Sequence, residues 1–189
     1  MALCAIAFGV CAPAGSQTTT GSWLDAARFE SWNRPGMAIP SAPKGQNPDP
    51  RCRESVREPV SEADQQVRAH GWDLVGPTSE GAQLRVIVGT SDYDGMCRPR
   101  QYQEFVFAHG VFAGTLSPQP MDSRTDGALG RVTIQNDGTL RAEYMRYGAA
   151  DPLCCPSRVT TVAFEIEKNP PLLNPVSAST VSTRSKSGK

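Results

Sequence analysis

The sequence predicts an α+β protein in which one helix packs on a mostly antiparallel, meander-like sheet of six or seven strands, stapled by disulfides. Residues 61–71 combine a helix cap with apolar side chains at helical spacing. Several later segments alternate polar and apolar residues, which is typical of half-buried strands. Short turn sequences join these segments, so consecutive strands are expected to pair with each other.

The chain is predicted to form a single domain with an appended segment at each end. The predicted boundaries are 1–14 for a signal or lipoprotein-type segment, 15–55 for a tether and proline-rich extended linker, 56–167 for the domain, and 168–189 for a disordered basic tail. Proline in the linker is incompatible with a helix. We expect its apolar residues Met37 and Ile39 to lie along the domain.

The helix is predicted over Glu62–His70. Ser61 is its N-cap, because Asp64 follows three residues later, and Gly71 ends it. The strands predicted to follow are Trp72–Val75, Ala82–Thr90, Tyr102–His109, Val111–Leu116, Arg131–Gln135, Thr139–Tyr147 and Arg158–Glu167. Gly110 allows one tight turn between strands, and Asn136-Asp137-Gly138 is a strong hairpin signal.

Alternation assigns the two faces of the longer strands. In the strand Tyr102–His109, one face carries Tyr102, Glu104, Val106 and Ala108, and the other carries Gln103, Phe105, Phe107 and His109. In the strand Arg158–Glu167, one face carries Thr160, Val162, Phe164 and Ile166.

Four cysteines follow the targeting segment, namely Cys52, Cys97, Cys154 and Cys155. An even number in an exported chain suggests two disulfides. Adjacent side chains on a strand point to opposite faces, and a bond between neighbours strains the intervening peptide. We therefore expect Cys154 and Cys155 each to bond one of the distant pair, and both such pairings stay open. No C-x-x-C motif is present, so no metal site is predicted.

The N-terminus predicts export. Residues 2–12 are apolar and small, and Ala12-Pro13-Ala14 supplies a cleavage pattern. Two outcomes stay open: cleavage after Ala14, or lipid attachment at Cys11 as in bacterial lipoproteins. Either one directs the protein to the cell envelope, in the periplasm or on the outer face of the membrane.

Charge is distributed unevenly along the chain. Residues 60–167 hold nine arginines, no lysine and fourteen carboxylates, whereas residues 168–189 hold four basic side chains and no acidic one. The neutral net charge of the whole chain argues against nucleic-acid binding. The tail is rich in Ser, Thr and Pro, and this composition predicts disorder.

The sequence contains no convincing catalytic constellation. It has no nucleophile elbow, phosphate loop or dinucleotide fingerprint. His70 lies at the predicted helix end and His109 at a hairpin turn, where structural roles suffice for both. We therefore expect a protein that is not an enzyme and has no cofactor.

The long loop over residues 117–130 is the candidate recognition element. Loops of this length in a compact domain are often functional. With the preceding Asp-rich turn it supplies the candidate recognition residues Asp92, Asp94, Asp122, Arg124 and Asp126. We expect the loop to be ordered by an ion pair from Arg124 to one of these carboxylates. The alternatives are a loop that only covers a sheet edge, a calcium loop beginning at Asp92, and a hydrolase site of Asp and Arg.

Two motifs point to a known family. Residues 92–118, DYDGMCRPRQYQEFVFAHGVFAGTLSP, and residues 150–166, ADPLCCPSRVTTVAFEI, resemble the LppP/LprE family of bacterial envelope lipoproteins. The resemblance covers roughly residues 56–167. It implies a cell-envelope protein, often lipid-anchored, with no established enzymatic activity.

These observations favour an exported, lipid-anchored protein that acts as a non-catalytic interaction or scaffolding module. Its expected partner is another envelope protein or a membrane complex. The alternative function is a ligand-binding or inhibitor-like module that uses the 117–130 loop.

Overall fold

The computed structural model describes residues 22–26, 28–45 and 50–183. Two short 3-10 helices, Trp23–Asp25 and Pro50–Ser55, precede the single α-helix of this part of the chain, α1 (Glu62–Ala69). The strands are β1 (Asp73–Gly81), β2 (Leu84–Thr90), β3 (Asp92–Tyr93), β4 (Pro99–Arg100), β5 (Gln103–Ala108), β6 (Val111–Thr115), β7 (Ala128–Ile134), β8 (Leu140–Arg146), β9 (Arg158–Lys168) and β10 (Pro171–Ser182).

The strands form two four-stranded antiparallel sheets rather than one sheet of six or seven strands, so this part of the prediction is wrong. The first sheet has the order β1-β2-β5-β6, and the second has the order β10-β9-β8-β7. The short strands β3 and β4 form a separate pair between β2 and β5. Each sheet is a meander apart from this insertion, as the sequence predicts. Strand alternation reveals which residues share a face, but it does not reveal where a meander breaks into two sheets.

The main core lies between the two sheets. Side chains from β2, β5 and β6 meet side chains from β8, β9 and β10, and the buried members include Val86, Val106, Tyr144, Phe164 and Leu173. The predicted faces of β5 and β9 are confirmed, because Val106, Val162 and Phe164 are all fully buried in this core. Both sheets present an apolar face, and packing the two faces together removes both from water.

The outer face of the first sheet is covered by α1 and by part of the N-terminal segment. Phe105 and Phe107 of β5 pack there with Val67 of the helix, and with Trp72 and Ile39. The predicted N-cap is present, since the Ser61 hydroxyl accepts a hydrogen bond of 3.1 Å from the backbone N–H of Asp64. Ile39 of the predicted linker is buried, as expected.

Asn33 joins the N-terminal segment to both sheets. Its side-chain amide donates to the carbonyl oxygens of Thr115 and Leu173, at 3.1 Å and 3.0 Å, and its oxygen accepts from the Thr115 N–H at 2.9 Å. A Cβ at Gly114 would lie 2.3 Å from the Asn33 side chain, so glycine is required at this close approach. The described part of the predicted linker is therefore integrated into the domain.

The predicted disordered tail is partly a strand. Residues 171–182 form β10, which pairs with the whole length of β9, and Leu172 and Leu173 are buried. Ser, Thr and Val are acceptable strand residues when an apolar strand is available as a partner. Residues 184–189 of that prediction lie outside the described residues. The whole targeting segment with Cys11, and residues 15–21, 27 and 46–49 of the predicted tether and linker, also lie outside them.

The disulfide prediction is also wrong in its pairing. Cys52 bonds Cys97, with Cα atoms 5.0 Å apart, and the adjacent residues Cys154 and Cys155 bond each other. Cys52 is buried beside Val75 and Tyr93, where Cys97 can reach it. Cys154 and Cys155 are exposed in the connection between β8 and β9, which is a turn rather than a strand. The argument from opposite strand faces therefore does not apply to them.

Candidate functional site

The structure brings the 117–130 loop into contact with the Asp-rich turn before β5. We call this surface, residues 92–101 and 117–127, the loop face. Ser123 donates to the Pro99 carbonyl oxygen from both its backbone N–H, at 3.2 Å, and its hydroxyl, at 2.7 Å. Tyr102 and Met121 exchange two backbone hydrogen bonds of 2.8 Å. These bonds fix the loop against the body of the domain.

Three of the predicted recognition carboxylates accept hydrogen bonds from backbone N–H groups. Asp92 is buried, and its Oδ1 accepts from the Tyr93 N–H at 2.9 Å. Asp94 accepts from the N–H groups of Met96 and Arg98, at 2.9 Å and 3.0 Å, and also from the Arg98 guanidinium. Burial alone would raise the pKa of Asp94, but these hydrogen bonds outweigh it and lower the pKa. Asp122 accepts from the Gln101 N–H at 2.7 Å.

Asp126 serves a different part of the fold, since it anchors Arg146. The Arg146 Nε donates to Asp126 Oδ1 at 2.9 Å, and its Nη2 donates to both oxygens of Asp25, at 2.9 Å and 2.8 Å. Nη1 lies 3.3 Å from the Thr160 hydroxyl. Hydrogen bonding from Arg146 lowers the pKa of Asp25. One buried guanidinium thus connects the N-terminal segment, the loop face and the second sheet.

Arg124 is exposed and makes no ion pair with any residue that the structure describes. The prediction that Arg124 bonds a carboxylate of the loop or of the turn is therefore wrong. Asp122 is held by Gln101, with Arg100 at 3.8 Å, and Asp126 is held by Arg146. Arg124 lies in the left-handed backbone region at a φ of 62°, within an exposed turn of the loop.

A depression of about 740 Å³ lies on the loop face, and its lining includes Asp122 and Thr125 on either side of Arg124 in the sequence. It is bordered by Trp23 of the N-terminal segment, by Pro118, Pro120 and Met121 of the loop, and by Asp122 and Asp126. Met96 on the neighbouring turn is 74 % exposed. The surface therefore combines a fixed backbone, an apolar border and an unpaired cation.

Glu104 is the residue of interest that the site prediction missed. It is 3 % exposed, it belongs to β5, and its Oε2 has no hydrogen-bond partner among the described residues. Burial raises the pKa of Glu104 to about 8. The signal was present in the sequence, because the alternation of β5 places this carboxyl on the same face as Val106 and Ala108. Glu104 is one of the residues that line a cavity of about 300 Å³ between the two sheets.

The structure places both histidines and the possible metal ligands of the described part of the chain. None of its residues form a group of three or more His, Cys, Asp and Glu side chains that could hold a metal ion. The ring Nδ1 of His70 lies 2.8 Å from the Gln66 carbonyl oxygen at the helix end, and His109 lies in the turn between β5 and β6. No helix among these residues is long and apolar enough to cross a membrane.

Together, fold and site define a disulfide-linked β-sandwich with a rigid loop face and one buried carboxyl in an inter-sheet cavity. Residues 78–169 match the family model of the LppP/LprE lipoproteins. This match confirms the family resemblance over β2–β9, including the Cys154-Cys155-Pro156 element. It supports an exported, envelope-associated protein. No curated protein and no solved structure matches the chain.

Proposed function

We propose that this protein is a lipid-anchored component of the bacterial cell envelope that binds another envelope protein through its loop face and catalyses no reaction. The observation that carries the proposal is Arg124, an exposed cation without a partner in the described chain, on a loop fixed by hydrogen bonds. A guanidinium carried on a loop with a fixed backbone is suited to bidentate pairing with a carboxylate. The partner is expected to offer an acidic side chain to Arg124 and an apolar one to the depression beside Trp23.

Arg124→Ala is expected to weaken capture of the partner from native membranes at least about tenfold, the effect of losing one hot-spot arginine. Thermal stability should stay at the wild-type value, because the exposed Arg124 makes no hydrogen bond or ion pair with any described residue. The measurement is quantitative mass spectrometry of proteins that co-purify with the full chain, together with a melting curve for each variant.

Two control variants make this test specific. Arg141→Ala removes an exposed arginine from β8, on the second sheet, and should leave partner recovery unchanged. Asp122→Ala removes the acceptor of the Gln101 N–H and should lower the melting temperature. Unchanged recovery with Arg124→Ala, or equal losses with Arg124→Ala and Arg141→Ala, would contradict the role of the loop face.

Cys11→Ser is expected to release the protein from membranes without detergent. The physical reason is that an acyl chain on Cys11 inserts into the bilayer and supplies the membrane affinity of the anchored protein. Fractionation with and without detergent, followed by intact-mass measurement, tests the anchor. A wild-type protein that is soluble and begins at Gly15 would establish cleavage after Ala14 instead, and would overturn the anchoring part of the proposal.

A further inference from the structure

The cavity beside Glu104 opens where β1 of the first sheet meets β7 of the second. Its apolar lining is formed by Pro77, Val86, Val88, Leu129 and Val132. Ser79, Ser123 and Arg131 add polar groups at the cavity wall. Its volume of about 300 Å³ is at the lower limit for sites that bind small molecules. An apolar pocket with a single buried carboxyl is the usual composition of a site that orients a ligand by one polar contact.

Neighbouring side chains do not satisfy the Glu104 carboxyl. The Tyr102 hydroxyl donates to the Leu129 carbonyl oxygen at 3.2 Å, and the Tyr144 hydroxyl donates to the Leu116 carbonyl oxygen. Both phenolic protons are therefore used elsewhere, and Oε2 is left without a partner. Burying a polar atom without a partner is unfavourable, which makes a missing donor the natural explanation.

The charge around the cavity favours a cation as that donor. The titratable groups that face Glu104 are the phenols of Tyr102 and Tyr144, whose pKa values are both raised by burial, so both stay neutral. Arg131 of β7 also lines the cavity, but it is exposed and forms no ion pair with Glu104. Glu104 is the one carboxyl among the residues that line the cavity. A carboxylate forms its strongest hydrogen bonds with a positively charged donor, so a cationic ligand is favoured over a neutral one or an anion.

We propose that the inter-sheet cavity is a binding site for a small organic ammonium ion with a compact apolar body. The ammonium group donates to the Glu104 carboxylate, and the body packs against Val86, Val88, Leu129 and Val132. The Tyr102 oxygen, which donates its own proton to Leu129, still offers lone pairs to a second ammonium hydrogen. This site is separate from the partner surface proposed above, and neither proposal depends on the other.

Proton release accompanies this binding. In the empty cavity the pKa of Glu104 is about 8, so the carboxyl is mostly protonated at neutral pH. An ammonium ion favours the ionised carboxylate, and the proton leaves to solvent. Affinity should therefore rise by up to about tenfold per pH unit below pH 8 and level off above it. An alkylammonium remains charged over this range, as a lysine side chain does.

The test is calorimetric titration of the full chain with three compounds of one shape: cyclohexylamine, cyclohexanol and cyclohexanecarboxylate. Cyclohexylamine is expected to bind at least about tenfold more tightly than the other two, and more tightly at pH 8 than at pH 6.5. Glu104→Gln should weaken amine binding at least about tenfold. Glu165→Gln, at an exposed position of β9, should leave it unchanged.

A cavity-filling variant keeps the test decisive if Glu104→Gln fails to fold. Val132→Phe retains the carboxyl but occupies the space of the ligand body, and it should abolish binding of the amine. The proposal is overturned if no compound binds at millimolar concentration, or if the alcohol or the carboxylate binds as tightly as the amine. It is also overturned if Glu104→Gln or Val132→Phe binds the amine as the wild type does.

Discussion

Glu104→Gln is expected to make the protein more stable by about 5 kcal/mol at pH 8.5, and to leave its stability at pH 4.5 nearly unchanged. The carboxyl has a pKa of about 8 in the folded protein and an ordinary value of 4.5 without the fold. At a pH between 4.5 and 8, the Glu104 carboxyl is protonated in the folded protein and ionised in the unfolded protein. Stability therefore falls by about 1.4 kcal/mol per pH unit as the pH rises, and it stops falling above pH 8. Glutamine has nearly the same shape and does not titrate, so Glu104→Gln should remove this dependence of the free energy of unfolding on pH.

Urea unfolding of both proteins at pH 5, 7 and 8.5 measures the effect. The wild-type free energy of unfolding should decrease across the series, while that of Glu104→Gln stays nearly level. Glu165→Gln, on the exposed part of β9, should follow the wild type. Parallel curves for the wild type and Glu104→Gln would show that the buried carboxyl does not titrate in this range. The pKa values of Asp25, Asp64 and Asp94 are lowered, so these carboxyls change the free energy of unfolding only at more acidic pH. Their contribution is the same in all three proteins.

The local features of the fold were predictable because they are encoded within a few residues. The Ser61 cap, the two faces of β5 and the hairpin at Asn136-Asp137-Gly138 all appear in the structure. Each depends on a periodicity or a turn preference that the sequence displays directly.

Long-range features were not predictable from local patterns. The meander breaks into two sheets because the apolar face of one group of strands packs on the apolar face of the other. The alternation of polar and apolar residues shows that a strand has an apolar face, but it does not show which other strands cover that face. β10 has a polar composition, and its pairing with β9 becomes visible only when Leu172 and Leu173 are placed in the core. The Cys52–Cys97 bond and the Asn33 contacts join residues that are far apart in sequence.

The candidate site was also predictable in part. The contact between the 117–130 loop and the Asp-rich turn was expected, but the role of each charge was not. A carboxylate in a turn can hold a backbone N–H as readily as it can hold an arginine, and Asp122 and Asp94 both accept from backbone N–H groups. Glu104 was placed correctly on the apolar face of β5, yet its significance depends on the cavity that the second sheet encloses.

Arg146→Met is expected to lower the free energy of unfolding by about 3 kcal/mol. The Arg146 side chain is 2 % exposed and is the common partner of Asp25 and Asp126. Removing one partner of a buried ion pair typically costs about 3–5 kcal/mol. The lower end applies here, because 55 % of the Asp25 side chain and 35 % of the Asp126 side chain are exposed, and both carboxylates can be hydrated. Arg141→Met, an exposed position on the same strand, is the matched control and should cost little.

The same variant should also detach the N-terminal segment. The ring of Trp23 packs edge-on against Tyr144, with centroids 5.1 Å apart. Two residues later in the sequence, the Asp25 carboxylate accepts a hydrogen bond from Arg146, which fixes this end of the segment. Without the guanidinium, trypsin should cleave after the exposed Arg28 faster in Arg146→Met than in Arg141→Met, under conditions where both proteins are folded. Intact-mass measurement identifies the first cleavage site. Equal cleavage rates at Arg28 would mean that the aromatic contacts and the Asn33 hydrogen bonds hold the segment without Arg146. Arg146 would then stabilise only the junction between the loop face and the second sheet.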